Sequence, residues 1–73
     1  MAEQIVKAPM RAKVIRFHVE KGTAVNAKDR VCDIEALKME IPVMTPVSGT
    51  IKEIFASPGQ DVEAGDPLFA VEF

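Results

Sequence analysis

The chain has 73 residues, with nine Lys and Arg against eleven Asp and Glu for a net charge of -2. These charges are spread without blocks of one sign, a pattern that offers no footprint to a phosphate backbone and argues against nucleic-acid binding. No apolar run is long enough for membrane insertion, no signal peptide is visible, and the single cysteine, Cys32, cannot form an intrachain disulfide, so the expected compartment is reducing and cytoplasmic.

With 48% hydrophobic and 27% charged residues, the composition is that of one small globular domain spanning 1–73. Runs rich in β-branched residues follow one another between turn signals: Ile5–Ala8, Lys13–Val19, Arg30–Glu35, Glu40–Met44, Thr50–Ala56 and Pro67–Phe73. They predict strands of an all-β domain. Minimal strands are expected at Ala24–Val25 and Asp61–Val62. The turns fall at Pro9–Ala12, Glu20–Gly22, Pro46–Gly49, Ser57–Gly59 and Ala64–Pro67, where glycine supplies positive φ and proline fixes it. No window has sustained helical periodicity, so no helix beyond a single turn is expected.

The two halves repeat each other. Val6–Ala36 slides onto Val43–Phe73 at an offset of 37 without a gap, giving seven identities: Val6/Val43, Pro9/Pro46, Gly22/Gly59, Val25/Val62, Ala27/Ala64, Asp29/Asp66 and Glu35/Glu72. Neither half could bury a core alone, so 6–36 and 43–73 predict one domain with quasi-twofold symmetry. The symmetry is broken where Gly49 and Gly65 correspond to Ala12 and Lys28. A left-handed conformation at either position costs a non-glycine residue on the order of 1 kcal/mol, which would make the first half the looser one. A shift of its turns to another type is the alternative.

Between the predicted strands ending at Glu35 and starting at Glu40 lie only Ala36, Leu37, Lys38 and Met39, enough for a tight hairpin. Two-residue hairpins prefer Asn-Gly or Asp-Gly because both central residues take positive φ, so Leu37-Lys38 is poor turn chemistry. Such a breach of local preference stores roughly 1–3 kcal/mol and tends to sit at functional positions. Leu37 and Met39 would flank a presented amine with apolar side chains. An arbitrary surface lysine is merely solvated, and Lys7, Lys13, Lys21, Lys28 and Lys52 are read that way; Lys38 is the exception.

The run Glu35-Ala36-Leu37-Lys38-Met39-Glu40 resembles the Glu-Ala-Met-Lys-Met attachment motif of biotinyl carrier domains. The likeness extends over the whole chain. Ala8-Pro9-Met10 and Thr45-Pro46-Val47-Ser48-Gly49 resemble that family's paired Ala-Pro segments, and Gly22 to Val25 and Gly59 to Leu68 resemble its paired glycine loops. Leu37 replaces the first methionine of the motif, a volume-conserving exchange. Arg11-Ala12-Lys13 departs from the family's Pro-Gly-Thr-like turn, and Glu20-Lys21-Gly22 runs on without the protruding thumb of some bacterial acetyl-CoA carboxylase carriers.

The resemblance implies a flattened β-barrel, or barrel-sandwich hybrid, of two four-stranded halves with the attachment lysine on a hairpin; the internal symmetry, which puts the counterparts of Leu37 and Lys38 just beyond Phe73, places that hairpin at the opposite end of the barrel from both termini. The resemblance implies that Lys38 is biotinylated by a biotin protein ligase reading Glu35, Ala36, Leu37, Met39 and Glu40. It also implies a non-catalytic swinging arm that shuttles carboxybiotin between a biotin carboxylase and a carboxyltransferase or decarboxylase. Lysine's methylenes, the amide and the valeryl chain would reach on the order of 12 Å.

No rival catalytic constellation is visible. His18 is read as a strand surface residue, Cys32 as barrel filling, and no carboxylate spacing suggests a metal loop. Glu35 and Glu40 are read equally well as solvated strand ends. A lipoyl carrier, typically with Asp-Lys-Ala at the tip, and an unmodified structural barrel module are the alternative readings. Met1-Ala2-Glu3 reads as a natural start and favours a free-standing subunit, although the apolar end at Phe73 suits an excised C-terminal domain equally well.

Overall fold

The computed structural model describes residues 2–73; Met1 lies outside them. Eight strands form: β1 (Glu3–Lys7), β2 (Ala12–Phe17), β3 (Ala24–Val25), β4 (Arg30–Ala36), β5 (Met39–Met44), β6 (Gly49–Ile54), β7 (Asp61–Val62) and β8 (Pro67–Glu72). No helix occurs among the described residues, and hence none long and apolar enough to cross a membrane. The strands build two four-stranded sheets, ordered β1-β8-β6-β3 and β5-β4-β2-β7, with every pairing antiparallel.

Adding 37 to the residue numbers turns β2 into β6 and β3 into β7, places β1 on β5 and β4 on β8, and so converts one sheet into the other. Hydrogen bonds repeat in the same way. Gly22 N–H donates to Ile51 O and Gly59 N–H to Val14 O, both at 2.7 Å. Lys28 N–H donates to Thr45 O at 2.7 Å, and Gly65 N–H to Ala8 O at 2.9 Å. Each sheet takes two long strands from one half and the flanking strands from the other, so the halves are interleaved and share one core. Val14, Val31, Ile34, Ile51, Val62, Leu68, Phe69 and Val71 fill it. These are strand residues, and this burial is what holds the two sheets face to face.

The expected turns mostly carry the chain from one sheet to the other. In chain order the strands alternate between sheets at every step except β4 to β5, the single hairpin among the described residues. At the symmetry-related place in the other sheet the chain ends meet instead: Ala2 N–H donates to Phe73 O at 2.7 Å and Phe73 N–H to Ala2 O at 2.9 Å. The lysine hairpin is therefore in a different sheet from both ends of the chain.

Several boundaries differ from the sequence reading. β1 begins at Glu3 because Glu3 pairs with Glu72, and stops before Ala8, whose N–H turns to Asp66 O. β2 ends at Phe17 and β6 at Ile54, so His18–Val19 and Phe55–Ala56 lie outside the strands. The two asymmetric glycine positions also separate. Lys28 takes a left-handed φ of 74° against 91° at Gly65, as the repeat suggests. Gly49 is not left-handed. A Cβ there would sit 2.2 Å from the backbone oxygen of Glu72, so glycine is needed for close approach of β6 to β8. Ala12, buried in the equivalent place, carries the Cβ that Gly49 must lack.

Candidate functional site

The hairpin closes at Ala36 opposite Met39, with Leu37 at φ 53° and Lys38 at φ 63°. Two successive left-handed residues give the type I′ shape whose twist matches the flanking strands. Neither is glycine, and each pays the steric cost of that conformation, about 1–2 kcal/mol. Six paired positions between β4 and β5, from Arg30 opposite Met44 to Ala36 opposite Met39, hold the strands that impose this turn. Leu37 is 91% exposed and Met39 66%, so the two apolar flanks of Lys38 stand in solvent. Lys38 is exposed, and its amine enters no ion pair or side-chain hydrogen bond among the described residues.

The other motif residues lie just behind the tip. Glu35 and Glu40 are direct cross-strand partners, a like-charge pair that is unfavourable unless countered. The counter-charges come from Arg16 and Arg30. Arg16 Nη1 lies 2.6 Å from Glu40 Oε1, and Arg30 Nη2 lies 3.8 Å from the same oxygen. Lys13 faces Glu35 from β2. Ala36 is half-buried at the hairpin base.

Sequence reasoning missed what anchors these arginines. Asp33, on β4, is fully buried; Arg16 Nη1 and Arg30 Nε each approach its carboxylate to 2.6 Å, and His18 Nε2 to 2.9 Å. A register shift between Val14 and Arg16 brings Arg16 opposite Asp33. His18 is accordingly not a simple strand surface residue: it lies beyond β2 and closes this cluster. Burial pushes the Asp33 carboxyl up, but the hydrogen bonds from Arg30, His18 and Arg16 together outweigh it and hold the group well below the usual carboxylate range. Hydrogen bonding to Glu40, and then to Asp33, raises Arg16 in turn. One signal was present in the sequence. Asp33 interrupts Val31-Cys32-Asp33-Ile34 where the repeat has Ala70.

Because the folded Asp33 carboxyl is lowered, its stabilisation is complete above the unfolded value near 3.9 and is lost as pH falls from there through the lower folded value. Urea titrations should therefore give a midpoint that drops as pH falls below about 4. In Asp33→Asn the midpoint should be lower at pH 7 and the acid drop shallower. An unchanged acid limb in that variant would contradict this role for Asp33. Cys32 has no reactive part here: burial, with the Asp33 charge adding, pushes its thiol up to about 12.

Comparisons with known proteins agree with this geometry. The family model described as "Biotin-requiring enzyme" matches residues 4–71. The chain is 40% identical over 67 residues to pyruvate carboxylase of Bacillus subtilis, covering 92% of this chain and 6% of that protein. It is 38% identical over 71 residues to a biotinylated protein TB7.3 homolog of Mycobacterium leprae, covering 97% of each. Among solved structures, Kluyveromyces lactis urea carboxylase superposes with a TM-score of 0.92 at 28% identity, covering 99% of this chain and 6% of that one. The lipoyl domain of the 2-oxoglutarate dehydrogenase complex from Azotobacter vinelandii superposes with a TM-score of 0.82 at 28% identity, covering 94% and 95%. The chain spans only 6% of the length of its pyruvate carboxylase and urea carboxylase relatives. With a family match over residues 4–71 and a hairpin lysine between two symmetric halves, this chain belongs to the biotin-requiring enzyme family and is a biotinyl domain.

Proposed function

We propose that this chain, as one carrier domain over 1–73, is a biotin carboxyl carrier whose Lys38 takes biotin in amide linkage. The observation that carries the reading is the strained, solvent-borne Leu37-Lys38 tip with Met39 beside it. Lys38 acts as a nucleophile once. Its uncharged ε-nitrogen bonds to the carboxyl carbon of an adenylated biotin, the carbon–oxygen bond to AMP breaks, and the amine proton leaves to a base. A free lysine titrates near 10.4, so the base or desolvation is supplied by a biotin protein ligase, the first partner proposed.

Ligase recognition is assigned to Glu35, Ala36, Leu37, Met39 and Glu40. When bound, biotin supplies a ureido nitrogen able to hold a carboxyl group. The residues of the chain then serve as tether and mount: Lys38 gives reach, and the two-sheet barrel holds the hairpin at a fixed attitude. Biotin carboxylase and carboxyltransferase or decarboxylase subunits or domains are the further partners proposed. The compartment proposed is the cytoplasm, with which a free, buried Cys32 is compatible.

The similarity to a lipoyl domain favours a second reading, lipoyl attachment at the same lysine. The apolar Leu37 and Met39 flanks weigh toward biotin. The carrier role is tested by loading the chain with biotin and adding a biotin carboxylase, MgATP and ¹⁴C-bicarbonate. Acid-labile label should appear on the loaded chain and be absent from unloaded chain. Loaded chain that gains no label would refute the carboxyl carrier assignment.

A further inference from the structure

The hairpin lysine stands between two carboxylates in sequence, Glu35 and Glu40, yet neither pairs with it. The two residues from Lys38 to Glu40 span at most about 7 Å of backbone, so a free Glu40 side chain could reach the Lys38 amine. An ion pair there would favour the ammonium form, which cannot attack a carboxyl carbon. Glu40 is instead drawn down onto the sheet. One nitrogen of Arg16, Nη1, bridges Glu40 Oε1 and Asp33 Oδ2 at 2.6 Å each, and Asp33 cannot move because it is buried and also held by Arg30 and His18.

The internal symmetry separates the anchor from the pairing: Glu3, the counterpart of Glu40, is also held by a cation, Lys52 at 2.9 Å, but Lys52 is not tied to a buried carboxylate as Arg16 is. At the equivalent places on the other sheet stand Glu53 for Arg16, Ala70 for Asp33, Pro67 for Arg30, Phe55 for His18 and Glu3 for Glu40. That sheet has the same strands and bulge without the cluster. Among the described residues, the buried carboxylate and its cations occur only on the sheet that carries Lys38.

We propose that Arg16, anchored on Asp33, is a positioning residue that holds Glu40 off Lys38 and so keeps the amine free to be acylated. The proposal rests on the reading of Lys38 as the acyl acceptor. The charged groups that face the hairpin are Glu35 and Glu40 on its own strands, Lys13 and Arg16 on β2, and Arg30 at the far end of β4. Without Arg16, Glu40 keeps only the 3.8 Å approach of Arg30 and is repelled by Glu35 beside it, so it turns toward the tip.

The test uses a small probe, a water-soluble acetyl N-hydroxysuccinimide ester, with acetylation of each lysine followed against pH by peptide mapping. In Arg16→Gln the Lys38 profile should move up by about half a pH unit, roughly threefold slower acetylation at pH 8, the size of a weak exposed ion pair. Arg16→Gln with Glu40→Gln should return to the parent profile, and Arg16→Lys should stay close to it. A profile for Arg16→Gln that superimposes on the parent overturns the proposal. Glu40→Gln alone gives a check that does not depend on Arg16→Gln folding: it should leave the Lys38 profile in place, and a shift to lower pH would mean that Glu40 already acts on the amine, again overturning it. Parallel incubation of the parent with a biotin protein ligase separates the two ideas. Failure to be biotinylated would sink the carrier reading, whereas the acetylation profiles judge the positioning role by themselves.

Discussion

Lys38→Arg should abolish biotin incorporation while leaving the barrel intact. Arginine keeps the charge and the length of the side chain but offers no amine that can lose its proton near neutral pH, so the acyl transfer has no nucleophile. The backbone demand is unchanged, because lysine and arginine pay the same cost at φ 63°. An exposed substitution of this kind shifts stability by no more than about 0.5 kcal/mol. The expected outcome is a loss of at least a hundredfold in ligase-dependent labelling with an unchanged urea midpoint. Labelling that persists on another lysine would show that the hairpin is not the acceptor.

Phe69→Ala should have the largest effect on folding. Phe69 is fully buried on β8, the central partner of both β1 and β6, and faces Val6 on one side and Ile54 on the other. Its repeat counterpart is Cys32, so the symmetric core contains a ring on one side and a thiol on the other. Truncating a buried Phe costs about 3–5 kcal/mol. A chain of 73 residues has roughly 4–11 kcal/mol in total, so much of the cooperative stability would go. Cys32→Ala removes one heavy atom and should cost about 1 kcal/mol. Urea unfolding of both variants provides the comparison, and a change below about 1 kcal/mol for Phe69→Ala would contradict its place in the core.

Much of the fold was legible because the chain states its pattern twice. The offset of 37 paired turn with turn and strand with strand, and the short strands at Ala24–Val25 and Asp61–Val62 stand where they were expected. The order of strands was not legible. A turn such as Ser57–Gly59 reads the same whether it closes a hairpin or carries the chain across to the opposite sheet, and here it crosses. Glycine was only half readable for a related reason: Gly65 is needed for its φ, but Gly49 for a backbone oxygen brought near by a strand far away in sequence.

The tip of the candidate site could be read from four residues, since Leu37-Lys38 breaks hairpin preference locally and the structure gives both the predicted positive φ. Its support could not. Arg16, Arg30 and Asp33 come together through β2–β4 pairing and a bulge, and no local pattern names a bulge in advance. The one available hint was the mismatch of Asp33 with Ala70 in the repeat. A charged residue set among Val31, Cys32 and Ile34 must find partners, and on this sheet it found the residues that also hold Glu40.

The central claim, that Lys38 is the residue of this barrel that receives biotin, is tested most directly by intact mass after incubation with a biotin protein ligase, biotin and ATP, followed by peptide mapping. The predicted result is one addition of about 226 Da, confined to the peptide containing Lys38, as expected for amide formation with loss of water. No addition, or an addition mapped to any of the other lysines, would contradict it.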